Sequence, residues 1–109
     1  MARPVTLVTF MLPAPLRHWA GESTEVRVFA VADHEDGDPT LGSALDTLRR
    51  THPSLEQRLR DDYGSIRRHI SMFVCGENAR HLGGLDCALP PGAEILVLPT
   101  LSRRQETTS

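Results

Sequence analysis

An α+β domain, with a mixed sheet of four to five strands packed on one main helix and a short second helix, is what the sequence predicts. Three observations predict it. Residues 5–12 and 94–98, the first and last periodic segments, are apolar at both parities, as strands in the middle of a sheet are. Between them lies one strong helical stripe, Leu41, Ala44, Leu45 and Leu48, at i, i+3, i+4 and i+7. The chain is 109 residues long, 39% apolar and 24% charged. A chain of that size buries roughly 65% of its unfolded surface, enough for one sheet against one or two helices.

Each element follows from local pattern. Val5 to Leu12 is rich in β-branched and bulky apolar residues and reads as a strand. Pro13, Pro15 and Gly21 then break the chain, leaving Leu16 to Trp19 for a single turn. In residues 25–31, Val26, Val28 and Ala30 alternate with Glu25 and Arg27, the mark of a half-buried strand hairpinned to the first. Residues 33–39 are an acidic loop whose spacing departs from that of an EF-hand, so a solvated connection is expected. Thr40 is placed to cap the main helix, which ends near His52 and Pro53. Ser54 and Gln57 have the spacing of a capping box, and Leu55 and Leu59 stack four apart on a short second helix. Residues 62–65 form a turn. Ile70, Met72 and Val74 alternate along a third strand, followed by a tight turn at Gly76 to Asn78 and a short strand over residues 79–82. If the two doubly apolar strands are neighbours with the helix as crossover, they run parallel and the order is ββαββ, the β-grasp (ubiquitin-like) arrangement. The expected organisation is a single β-grasp domain over residues 1–99 and a polar, mobile tail over 100–109, where one residue in ten is apolar.

Composition removes several function classes. Twelve basic residues against fourteen acidic ones give a formal charge of −2, without the basic footprint of a nucleic-acid binder. Every basic residue is Arg, which excludes a lysine Schiff base and a P-loop lysine. No segment approaches the ~20 apolar residues of a membrane span, and Val5 to Leu12 lacks the cleavage signature of a signal peptide, so a cytoplasmic protein is expected. Five scattered histidines, none in H-x-H or H-x-x-x-H spacing, imply no metal, and no cofactor motif is present. Asp61 and Asp62 point to different sides of a helix end and mark a solvated turn.

Five stretches resemble the MoaD/ThiS sulfur-carrier family: Pro13-Ala14-Pro15-Leu16-Arg17, Thr40-Leu41-Gly42-Ser43-Ala44-Leu45, Phe73 through Arg80, Leu82-Gly83-Gly84-Leu85-Asp86, and Pro91 through Pro99. They follow the family's order across residues 5–99. The resemblance implies a ubiquitin-like protein whose terminal glycine carboxylate is activated by an adenylating enzyme, converted to a thiocarboxylate and delivered to a recipient enzyme. That chemistry calls for a terminal Gly-Gly, because residues without a Cβ can thread a narrow channel in extended form. Here the family's diglycine falls near Ser102 to Arg104, and no glycine follows Gly92. The scaffold is kept and its reactive end is replaced by arginines.

The resulting expectation is a non-standard family member. It docks on a partner enzyme of sulfur transfer, cofactor or natural-product biosynthesis without forming the usual thiocarboxylate, and is itself an accessory protein rather than an enzyme. Carriers of this shape dock through the exposed sheet face and the last strand, which makes Phe29, Phe73, Leu98, Pro99 and Leu101 the candidate contacts. Core packing is the alternative for both phenylalanines. A second reading keeps sulfur chemistry, through a persulfide on Cys75 or Cys87 or through unusual processing of the C-terminus, with plain space-filling thiols as the alternative. A third gives the fold a small-molecule pocket, for which His69, Arg80 and Tyr63 are the polar groups to watch.

Overall fold

The computed structural model describes residues 3–99. The tail expected at 100–109 lies outside the described residues. Strand β1 (Val5–Met11) is followed by a one-turn helix α1 (Ala14–Arg17) that runs into a 3-10 turn (His18–Ala20), and then by β2 (Glu25–Val31). Helices α2 (Leu41–Thr51) and α3 (Pro53–Leu59) come next, then β3 (Ile70–Val74), β4 (Glu77–Asn78), two 3-10 turns (Ala79–Leu82 and Gly84–Asp86) and β5 (Glu94–Pro99).

The five strands form one sheet in the order β2-β1-β5-β3-β4. The two strands that are apolar at both parities are indeed neighbours at the centre. They run parallel, with Phe10 opposite Ile95. β2 pairs antiparallel with β1, and β3 antiparallel with β5, Met72 standing opposite Val97. The inward parity of the four longer strands is buried: Val8 and Phe10, Val26, Val28 and Ala30, Ile70, Met72 and Val74, Ile95 and Val97. On top of them lie Leu41, Ala44, Leu45 and Leu48 of α2 and Leu55 and Leu59 of α3, all fully buried. This is the ββαββ grasp that the stripe and the two central strands predict.

Helix α2 starts where Thr40 predicts. The Thr40 Oγ1 accepts from the Ser43 amide at 3.2 Å, and the Ser43 hydroxyl accepts from the Thr40 amide at 3.1 Å, so two amides of the first turn are satisfied reciprocally. Gly42 lets the segment 84–86 approach this turn: a Cβ there would stand 3.2 Å from the Leu85 carbonyl oxygen. Two local expectations are corrected. α3 is not started by a Ser54–Gln57 box but by Pro53 at its first position, with no side-chain cap: the proline ring presets the helical φ and removes one of the first-turn amides that would otherwise stand unpaired. The short strand is Glu77–Asn78, and residues 79–82 are a 3-10 turn capped by the Asn78 side chain, which accepts from the Arg80 amide at 3.0 Å. The hairpin loop is therefore Cys75-Gly76, one step earlier than expected.

One polar cluster joins the two helices. Arg60, at the end of α3, donates from Nε to Glu56 at 2.5 Å and from Nη2 to Asp46 of α2 at 2.9 Å. The Arg60 and Glu56 side chains are 8% and 9% exposed. Removing one member leaves the other buried and unpaired, which costs more than the pair contributes. Arg60→Ala should lower the unfolding free energy by about 3 kcal/mol. The double variant Glu56→Leu/Arg60→Met should lose much less, and urea unfolding of the two variants checks this.

Candidate docking interface

The helices cover one face of the sheet and leave the other bare. On that bare face the second parity of β1 and β5 points outward, which turns doubly apolar strands into an exposed apolar surface. Strand register fixes who stands beside whom. Phe29 of β2 lies opposite Leu7 of β1; they are 57% and 44% exposed. Further along, Thr9 is flanked by Arg27 and Glu94. Beyond this polar row, Met11, Leu96 and Phe73 form a line across β1, β5 and β3, with Leu96 43% exposed and Phe73 half-buried. Leu98, 38% exposed, follows Leu96 on the same face opposite Ser71, and exposed Pro99 ends the strand opposite Ile70.

The candidate contacts thus fall into two groups. Phe73 and Leu98 share the end of the bare face where the chain leaves β5, whereas Pro99, opposite the buried Ile70, has the parity of the helix side. Phe29 stands at the other end with Leu7 and Val5, across the Thr9 row. Leu101 lies outside the described residues. Neither phenylalanine is a core residue. Sequence reading overlooked Leu7, Leu96 and Met11, although their parity, opposite to Val8, Phe10 and Ile95, carried the signal: a strand apolar on both sides in a one-layer sheet must show one side to solvent.

The two thiols part company. Cys87 is buried, its Sγ 3.5 Å from the Ala88 carbonyl oxygen, and burial, followed by the nearby Cys75, pushes its pKa up. A thiol held in its protonated form is a poor nucleophile and a poor persulfide carrier. Cys75 is exposed and occupies the first position of the β3–β4 turn at φ 52°, with Gly76 at φ 90°. Two positive φ values in a two-residue loop are a type I′ turn, which Asn-Gly suits far better than Cys-Gly. The internal Gly83-Gly84 pair serves the backbone as well, both at positive φ, with Gly83 linking the two 3-10 turns and Gly84 opening the second.

His69, Arg80 and Tyr63 do not meet in one cavity. Tyr63 lines a polar cleft of about 560 Å³ beside the Asp46–Arg60–Glu56 cluster. His69 lines a groove of about 540 Å³ between α1, α3 and the ends of β3 and β5. Arg80 lines neither and instead donates to the carbonyls of Arg67 and Ile70. Among the described residues no cluster of metal-ligating side chains occurs, and no helix is long and apolar enough to cross a membrane.

The sheet order, the single-sided helical layer and the strand leading out from the sheet centre define a ubiquitin-like protein of the β-grasp fold. No protein-family model matches the sequence. Individual relatives do. Small archaeal modifier protein 1 of Haloferax volcanii is 40% identical over 67 residues, covering 62% of this chain and 72% of that protein, and its crystal structure superposes with a TM-score of 0.68 at 38% identity over 88% of this chain and 97% of its own. The sulfur carrier protein CysO of Mycobacterium tuberculosis is 29% identical over 97 residues, 87% of this chain and 96% of that protein. Its crystal structure gives a TM-score of 0.69 at 28% identity, over 86% of this chain and 99% of that one. The BexX/CysO complex of Amycolatopsis orientalis matches with a TM-score of 0.70 at 25% identity, over 87% and 97%. The chain belongs to the MoaD/ThiS class of ubiquitin-like sulfur-carrier and modifier proteins.

Two outcomes follow for the cysteines. Cys75→Asn should raise stability by about 0.5–1 kcal/mol, because asparagine tolerates the left-handed conformation that strains cysteine; thermal or urea unfolding reads the gain. Unfolded, the Cys87 thiol ionises near the ordinary value of about 8.5, whereas folded it keeps its proton to higher pH. Above about pH 8.5 the unfolded chain therefore holds fewer protons than the folded one, and stability falls as pH rises. Urea midpoints measured on either side of that pH should show the drop, and Cys87→Ala should flatten it.

Proposed function

We propose that this protein is a docking member of its class: a ubiquitin-like module that binds a partner enzyme through its bare sheet face and the end of β5, without presenting a C-terminal thiocarboxylate in the manner of a diglycine carrier. The observation that carries the reading is a combination at one end of the molecule. The apolar row Met11, Leu96, Phe73 and Leu98 leads to Pro99, and the residues that follow, Thr100 to Arg104, hold arginines where the family's diglycine falls. The docking half of the carrier is intact, and the half that reacts is replaced. A guanidinium side chain cannot pass where bare backbone must lie against a nucleotide phosphate.

Residues 1–99 act as the one folded docking unit in this reading. That a CysO forms a complex with BexX supports a protein as the partner; a partner akin to an adenylating enzyme, or a biosynthetic enzyme that receives sulfur elsewhere, fits the same face. Sulfur carriage by Cys87 is disfavoured by its burial and raised pKa.

Intact mass after incubation with a diglycine-dependent adenylating enzyme of the class, ATP and sulfide decides the chemistry. The chain should show no exchange of oxygen for sulfur. A variant carrying Arg103→Gly and Arg104→Gly and stopped after residue 104 should gain it. Exchange at the terminal carbonyl of the unaltered chain would overturn the reading. Docking is tested separately by capture of the partner: Phe73→Ala should weaken it about tenfold or more, as loss of a central aromatic anchor does, and Phe29→Ala distinguishes whether the far patch takes part.

A further inference from the structure

The groove on the helix side of the β5 exit has a distinct composition. Its floor is apolar, formed by buried Leu16 and Ile70, with exposed Pro15 and Pro99 as walls. Its rim carries Arg58, Arg67 and His69, and among the described residues no carboxylate lines it. In a chain of net charge −2 this is a local reversal of sign. Among the described residues, both guanidinium groups are held in place without a counter-ion. Arg58 lies 3.9 Å over the Trp19 ring, and Arg67 donates from Nε to the Gln57 carbonyl at 2.9 Å. Among the described residues, the salt bridges belong to other arginines and to His18. Arg80 braces the same segment from behind, donating to the carbonyls of Arg67 and Ile70 at 3.2 and 3.0 Å.

We propose that this groove is the docking site for an acidic segment of the partner protein, whose carboxylates pair with Arg58 and Arg67 while an aliphatic side chain packs between Pro15, Leu16, Ile70 and Pro99. The inference rests on the docking reading above and names the chemistry of the partner. Guanidinium groups held by an aromatic face and by a backbone carbonyl are already oriented, so less side-chain entropy is lost when a carboxylate arrives. A small free anion would satisfy the rim and leave the apolar floor wet. A peptide that alternates acidic and aliphatic side chains covers both.

The test uses the full ¹⁵N-labelled chain, titrated with a blocked hexapeptide alternating glutamate and leucine, with its glutamine counterpart, and with inorganic phosphate. The acidic peptide should shift the amides of Gln57, Arg58, Arg67, His69 and Ile70. Its affinity should fall about tenfold between low and moderately high salt, as screening of close charge pairs requires. The glutamine peptide and Arg67→Gln should each weaken binding about tenfold, whereas Phe29→Ala should leave it unchanged. Equal binding of the glutamine peptide, or shifts centred on Leu7 and Leu96, would overturn the proposal. So would phosphate giving the same shifts and displacing the peptide, which would mark a small-anion site. Salt dependence and the peptide pair need no variant, so they decide even if Arg67→Gln fails to fold. No peptide binding with partner capture still weakened by Phe73→Ala refutes the groove alone; peptide binding with capture indifferent to Phe73→Ala refutes the sheet-face reading alone.

Discussion

The parallel pairing of β1 and β5 is the constraint on which everything else depends. Parallel neighbours cannot be joined by a tight turn, so the chain between them must cross over. Here the crossover contains α2 and α3, which lie on one face and bury the inward side chains of all the strands they cover. Phe10 and Ile95 stand opposite one another at that central seam, both fully buried. Loss of this seam would separate the β1–β2 hairpin, on which α2 packs, from the β3–β5 pair.

One helical layer on a single sheet has a second consequence. Central strands of a doubly covered sheet bury both parities, but here only one parity finds a partner among the described residues. Leu7, Leu96 and Leu98 are therefore exposed for a topological reason, and it is this apolar face that the docking reading proposed above puts to use. The face is not uniform. The Arg27–Thr9–Glu94 row divides it, so that the patch at the β5 exit and the patch around Phe29 are separate units.

Membership of the MoaD/ThiS class gives the β5 exit its meaning. The two surfaces proposed above for a partner meet there: an apolar row on the sheet side and a cationic groove on the helix side. Both end at Pro99, and Arg103 and Arg104 stand where the resemblance would place the family's glycines. Recognition and reaction are separable in such a scaffold because they use different physics. Docking needs a rigid patterned surface, whereas activation of a terminal carboxylate needs a thin unbranched strand.

Much of the fold was legible in residue order. The stripe Leu41–Ala44–Leu45–Leu48, the Thr40 cap, the alternation of Ile70, Met72 and Val74 and the doubly apolar strands are local or periodic signals, and each is expressed as expected. The start of α3 and the place of β4 were misread because short elements carry too few residues for a period: Ser54 has the right spacing for a cap, but Pro53 already supplies the first turn. Absence of the diglycine and of lysine is likewise a property of the sequence alone. Only the tertiary structure decided which apolar parity faces water, that Phe29 and Phe73 belong to different patches, that Cys87 is buried while Cys75 is not, and that Arg58 and Arg67 meet beside Pro99. Those facts depend on strand register and on residues far apart in the chain, which periodicity along one segment cannot encode.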